Sequence, residues 1–155
     1  MCGIIGIVSK KDCVQGLLSG LSKLEYRGYD SSGIAIIDNN KINCLKIEGK
    51  LINLKKITNN ENFFGNLGIG HTRWATHGKP SKKNSHPFVK KNCALVHNGI
   101  IENYRDIKKS LANKKTYFKS STDTEVVAEL MNYLIEEQAT PLEAMKEVVL
   151  RIEGN

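Results

Sequence analysis

Strand-like apolar runs and helical stripes alternate in the first two thirds of this chain, and a period near 3.6 dominates the rest. Ile4 to Val8 is a short apolar run beside glycine and predicts a buried strand. Asp12 predicts a helix start, with Gln15 three residues on as its capping-box partner. Val14, Leu17, Leu18, Leu21 and Leu24 then fall on one helical face, and the pattern stops at Tyr26-Arg27-Gly28. Gly33 to Asp38 and Lys41 to Ile47 read as strands joined through Asn39-Asn40, a two-residue hairpin turn. A short helix is expected over Leu51 to Ile57. Strands follow at Leu67 to Thr72 and Asn92 to His97, separated by a loop from Arg73 to Lys91.

The last third is helical. Tyr104 to Leu111 reads as a helix, with Tyr104, Ile107 and Leu111 in register. Thr122-Asp123-Thr124-Glu125 reads as a capping box opening a long helix whose face is Val126, Val127, Leu130, Met131, Leu134 and Ile135. Thr140-Pro141-Leu142-Glu143 is a second box with proline at the favoured first position, and its helix should run to about Arg151 or Ile152. A glycine-containing turn into another strand is expected at Glu153-Gly154-Asn155. Early strands flanked by helices indicate a layered α+β domain.

Composition adds little to that picture. With 40% hydrophobic and 25% charged residues over 155 positions, the chain matches an ordinary globular domain. No run of 18 apolar residues occurs, and the N-terminus lacks the basic leader of a signal peptide, so the expected location is cytoplasmic, with no membrane partner. The net charge of +7 comes mostly from scattered lysines such as Lys10-Lys11, Lys82-Lys83 and Lys90-Lys91. Without arginine–aromatic interleaving these read as a solvated surface, not a nucleic-acid face. Cys2, Cys13, Cys44 and Cys93 have no CxxC spacing and are too scattered for a disulfide framework. Cys13, Cys44 and Cys93 sit among apolar residues and read as buried thiols.

Cys2 differs because of its position. If Met1 is cleaved, Cys2 carries a thiol and a free α-amine on one residue. The amine titrates at about 7.7–8.0, so a single residue could supply nucleophile and general base. Taken alone, Cys2 fits a packed strand residue better, because cysteine is often buried. Three further blocks carry chemistry-bearing side chains: Tyr26 to Gly33, too polar and bent for a core; His71 to Gly78, which leaves a strand and enters a loop with a cation, an indole and a second histidine; and His97-Asn98-Gly99. An asparagine amide beside a glycine N–H at a strand end could form an oxyanion hole. Each block taken singly also fits a turn or a solvated face.

Taken in order, Cys2-Gly3-Ile4-Ile5-Gly6, Tyr26 through Gly33, His71 through Gly78, His97 through Asn103 and Thr122 through Glu125 resemble the glutaminase domain of the glutamine–fructose-6-phosphate aminotransferase family. The resemblance covers essentially the whole chain. Amidophosphoribosyltransferases share the Cys-Gly start and a similar arginine–glycine block and are the within-class alternative. A catalytically idle interaction domain of the same fold is the alternative from another class.

The resemblance implies a four-layer αββα sandwich of the N-terminal-nucleophile hydrolase type. It implies that residues 1–155 form a type-2 glutamine amidotransferase domain that is C-terminally incomplete, with the sugar-phosphate isomerase domains absent. Cys2 is implied as nucleophile with its α-amine as base, and Asn98 and Gly99 as the oxyanion hole. Arg73 is implied to clamp the α-carboxylate of L-glutamine, and Asp123 to bind its α-ammonium. Trp74, Thr76 and His77 are implied in the glutamine-site loop. No metal or organic cofactor is implied, and the four histidines lack zinc spacing. Fructose 6-phosphate would be met only through the isomerase half, and the full-length enzyme is expected to be a homo-oligomer.

Overall fold

In the computed structural model of the chain, the described residues are 2–61, 63–75, 79–114 and 116–154. Six strands and five α-helices follow in the order β1 (Gly3–Val8), α1 (Val14–Leu24), β2 (Ser31–Asp38), β3 (Lys41–Glu48), α2 (Leu51–Asn60), β4 (Leu67–Arg73), β5 (Phe88–Val89), β6 (Ala94–Leu95), α3 (Tyr104–Leu111), α4 (Asp123–Glu136) and α5 (Pro141–Arg151). A 3-10 turn over Glu25–Arg27 follows α1. Strands β1 to β4 form an antiparallel sheet in the order β1-β4-β2-β3, and β5 pairs with β6 in a second sheet.

The apolar stripe of α1 folds as its spacing requires. Val14, Leu17, Leu18 and Leu21 pack with Ile34, Ile36, Leu51 and Leu54 into one core, flanked by Ile5, Ile7, Leu45 and Ile47 from the sheet. Each such aliphatic side chain, once fully buried, contributes about 1.5–3 kcal/mol. The start of α1 differs from expectation. Its N-cap is Cys13, with no side-chain cap, because Asp12 Oδ1 instead accepts the Gly65 N–H at 3.1 Å. The Cys13 N–H donates to the Gly65 carbonyl at 2.8 Å, so both residues tie the helix start to the approach of β4. The Asn39-Asn40 hairpin forms as predicted, with both residues at positive φ (47° and 60°).

The other face of the large sheet meets the second one. Gly33 lies so close to the His86 carbonyl oxygen that no Cβ fits there, so this glycine is required by sheet-on-sheet approach. Ser31 and Ser32, expected in a bent polar segment, lie in β2 and are buried at 1% and 2% exposure. Small side chains permit that burial on both faces of a central strand. The strand predicted over Asn92 to His97 shrinks to Ala94–Leu95, because side chains take over the backbone partners at both ends. Asn92 N–H donates to Asn132 Oδ1 at 3.0 Å, and His97 is held by imidazoles. The loop from Arg73 to Lys91 contains β5 as well.

Helices α3, α4 and α5 cover the outer side of the second sheet around a separate core of Ile101, Ile107, Leu111, Val126, Val127, Leu130 and Val148. The four layers are therefore α1/α2, large sheet, small sheet, α3–α5, as the family resemblance implied. The capping box at Thr140 forms in full, with Glu143 returning to the Thr140 N–H at 2.9 Å. The box at Thr122 forms by half. Thr122 accepts from the Glu125 N–H, while the Glu125 carboxylate takes the N–H groups of Lys119 and Ser120.

Lys90 also departs from its reading as a solvated lysine. It is nearly buried, 3.0 Å from Glu125 and 2.7 Å from Glu129. This triad explains why α4 is buried on its polar side too: the carboxylates bind the incoming loop, not solvent. After α5, Gly154 bridges Ile101 in antiparallel fashion, and Asn103 grips the same stretch through the Arg151 carbonyl (2.8 Å) and the Glu153 N–H (3.0 Å). Among the described residues no helix is long and apolar enough to cross a membrane.

Candidate active site

The site lies where the large sheet ends. The β1–β4 register sets Gly3 opposite Thr72 and Ile4 opposite His71, which brings Cys2 beside Arg73 and the turn that follows it. Trp74 N–H donates to Cys2 Sγ at 3.3 Å, and Cys2 Sγ lies 3.7 Å from the Trp74 carbonyl. Cys2 N–H donates to Asn98 Oδ1 at 3.1 Å. In the sequence as written that nitrogen is the peptide nitrogen shared with Met1, and removal of Met1 makes it the α-amine. One residue thus has its sulfur against the Arg73–Trp74 turn and its nitrogen against Asn98, across 96 positions of sequence.

The turn after β4 is held by residues that had no assigned role. Asp30 Oδ2 accepts the Ala75 N–H at 2.7 Å, and Asp30 N–H donates to the Arg73 carbonyl at 3.1 Å. A Cβ at Gly28 would stand 2.5 Å from the Arg73 carbonyl carbon and 2.7 Å from Trp74 N, so glycine is needed where the two segments touch. The polar block Tyr26–Gly33 carried a signal for this role. Which of its residues would meet the turn is decided only by the β2–β4 pairing, which sets Ser31 opposite Arg73.

Arg73 is 4% exposed. Burial lowers its pKa, and the charges of Cys2, Asp30 and Asp123 raise it again, so these groups gather around one guanidinium that stays cationic. Asp123 is buried at the first position of α4. Its Oδ2 accepts the Ile101 N–H at 2.8 Å and its Oδ1 the Thr124 N–H at 2.9 Å. A carboxylate there is favoured by the helix N-terminus and fastens the segment after Gly99. Gly99 is half-buried and Asn98 exposed. Trp74 is 45% exposed and meets Tyr29 edge to face, with centroids 5.6 Å apart. Thr76 and His77 lie outside the described residues.

Of the other expected cysteines, Cys13 and Cys93 are buried and Cys44 is half-buried. Burial pushes the Cys44 and Cys93 thiols up to about 11 and raises Cys13 too, so all three are poor nucleophiles near neutral pH.

Comparison with known proteins agrees with this geometry. A family model described as a glutamine amidotransferase domain matches residues 71–155, and the chain belongs to that family. It is 48% identical, over its whole length, to the glutamine–fructose-6-phosphate aminotransferase (isomerizing) of Clostridium tetani, of which it spans 26%. It is 50% identical over 98% of its length to the enzyme of that name from Wigglesworthia glossinidia brevipalpis, of which it spans 25%. The chain therefore spans about a quarter of these relatives. Among solved structures it resembles a glutamine phosphoribosylpyrophosphate amidotransferase from B. subtilis, with TM-score 0.82 and 29% identity over 99% of this chain and 33% of that one. A structure titled as the allosteric regulatory enzyme of purine biosynthesis gives TM-score 0.84 at 30% identity, over 99% of this chain and 34% of that one. A glutamine aminotransferase class-II domain protein from Silicibacter pomeroyi, 17% identical with TM-score 0.66, shares the fold.

Proposed function

We propose that the chain hydrolyses L-glutamine to glutamate and ammonia as a single type-2 amidotransferase domain, and that the ammonia serves conversion of fructose 6-phosphate to glucosamine 6-phosphate in a longer protein. The observation that carries this reading is the placement of Cys2, sulfur against the Arg73–Trp74 turn and nitrogen on Asn98. Once Met1 is removed, the α-amine takes the thiol proton as the sulfur attacks the glutamine side-chain amide. Asn98 and the Gly99 N–H stabilise the tetrahedral oxyanion. The α-amine returns the proton to the departing ammonia, and water then releases glutamate from the thioester. Arg73 binds the substrate carboxylate as a bidentate pair, and Asp123 binds its ammonium. Trp74 serves as the lid residue of the glutamine-site loop, to which Thr76 and His77 are also assigned. The 48–50% identity to fructose-6-phosphate aminotransferases, against 29–30% to the two purine-pathway structures, favours the hexosamine reading over the phosphoribosyl one.

Replacing Cys2 tests the reading directly. Cys2→Ala in the full chain should cut glutamate release by about 10⁴-fold or more, the scale of a lost nucleophile, while thermal stability is kept. Blocking Met1 removal should do the same, and mass spectrometry of active protein should show Cys2 as the first residue. Glutamine turnover that survives in Cys2→Ala, or in a protein that retains Met1, rules the mechanism out.

A further inference from the structure

Beyond the end of β6, the backbone of His97 is bonded to two imidazoles. His97 N–H donates to His86 Nδ1 at 3.4 Å, and His71 Nε2 lies 3.1 Å from the His97 carbonyl oxygen. Those contacts dictate chemistry. His86 Nδ1 must keep its lone pair, which makes that ring the neutral Nε2–H tautomer, and His71 must carry a proton on Nε2. The rings stack with centroids 4.1 Å apart and planes 12° from parallel. His71, from β4, has no exposed surface, and His86 is 5% exposed. Burial favours the neutral forms: it takes His71 to about 4 and His86 well below its usual value, with the neighbouring cation of Arg73 adding to both shifts.

The carbonyl that His71 binds belongs to the peptide linking His97 to Asn98. Rotation of that peptide would swing the Asn98 side chain, whose Oδ1 holds the Cys2 nitrogen. A second tether fixes the other end, since His97 Nδ1 lies 3.2 Å from Thr124 Oγ1, which donates to Asp123 Oδ1 at 3.4 Å. We propose that His71, stacked on His86, is a positioning residue that sets the His97–Asn98 peptide so that Asn98 meets the Cys2 amine and the oxyanion. The inference rests on the glutaminase reading for its kinetic consequence. It extends the site to two buried side chains that act through the backbone of His97.

The test compares His71→Gln, whose side-chain amide can present N–H near the Nε2 position, with His71→Leu, which cannot donate, both in the full chain. His71→Leu should lower kcat for glutamine hydrolysis by about ten- to a hundredfold, the scale of a small misplacement in an active site. KM should stay within about twofold, because Arg73 and Asp123 are untouched. His71→Gln should recover most of the rate. Wild-type kcat in His71→Leu, or equal damage in both variants, overturns the proposal. If neither variant folds, imidazole nitrogen NMR of the wild-type chain decides: His71 should be a neutral Nε2–H tautomer coupled to the His97 carbonyl, and protonation at Nδ1 overturns it. A wild-type chain inert toward glutamine would sink the functional reading alone. The order parameter of the Asn98 side chain, high in wild type and reduced in His71→Leu, would still decide the positioning role, and no reduction would count against it.

Discussion

The two faces of the four-stranded sheet are built from the same strands and are chemically unlike. Toward α1 and α2 the sheet presents Ile5, Ile7, Ile34, Ile36, Leu45 and Ile47 to Leu17, Leu18 and Leu21. Toward the second sheet it presents Ser31, Gly33, Lys46, His71 and Arg73 at the end near Cys2, and Ala35, Ile37 and Ile69 at the other end. Strand β4 shows the alternation in three residues, since Thr72 turns to the helical side while His71 and Arg73 turn to the polar one. Non-directional contact holds the first face, so many similar side chains would serve there. Specific hydrogen bonds hold the second: Lys46 Nζ to the Ser85 carbonyl (2.7 Å), and His71 and His86 to His97. Such bonds matter because a buried polar group left unpaired costs about 1–3 kcal/mol, a cost this face bears at Ser31 Oγ and His71 Nδ1, which have no hydrogen-bond partner among the described residues. The lesson is one of division. The apolar face supplies stability, and the polar face carries the precision that a reacting centre needs.

The comparison can be broken most severely from the apolar side. Leu21→Ala removes a fully buried side chain from the α1 core and should cost about 2–5 kcal/mol of unfolding free energy. Glutamine kcat should be unchanged wherever the protein is folded. Denaturant titration alongside steady-state kinetics checks both halves, and a large kcat loss in folded Leu21→Ala would show the faces to be coupled.

Acid should act on the polar side next. The folded-state pKa of His71 is near 4, against about 6.5 for an unfolded histidine. The folded chain thus binds fewer protons than the unfolded one. The stability due to keeping His71 neutral is complete above about pH 6.5 and is lost as pH falls toward 4, on the order of 3 kcal/mol over the window. Burial opposes protonation of the ring, its hydrogen bond to the His97 carbonyl favours it, and the charges of Arg73 and His97 oppose it again. Urea midpoints measured from pH 7 to pH 4.5 should fall in wild type and fall less in His71→Gln. Equal slopes would contradict the burial argument.

The smallest effect should sharpen the contrast. Arg73→Lys keeps a charge and loses the bidentate fork, so kcat/KM for glutamine should drop by about ten- to a hundredfold, from a loss of about 1.5–3 kcal/mol. Asp123→Asn should drop comparably and also loosen Ile101, whose N–H the carboxylate holds. Hydrogen exchange at Ile101 separates the two variants: faster in Asp123→Asn, unchanged in Arg73→Lys.

Local periodicity and turn chemistry were enough to determine much of this protein from its sequence. The α1 stripe, the Asn39-Asn40 hairpin, the start and end of α3 and the Thr140 capping box depend on neighbours within four positions, where propensity and pattern act directly. The ordered blocks around Cys2, Arg73, Asn98 and Asp123 likewise marked where chemistry could lie. Register and burial were decided only by the tertiary structure. Asp12 could cap its own helix or bind Gly65, and the arrival of β4 chose the latter. Lys90 looked like a surface lysine until α4 brought Glu125 and Glu129 within 3.0 Å. His71 opened a chemistry-bearing block and His86 belonged to none, and neither showed its partner, the backbone of a residue 26 and 11 positions away. A one-dimensional string records which donors and acceptors exist. Which of them meet depends on strand pairing across the whole domain, and that free energy belongs to no short segment.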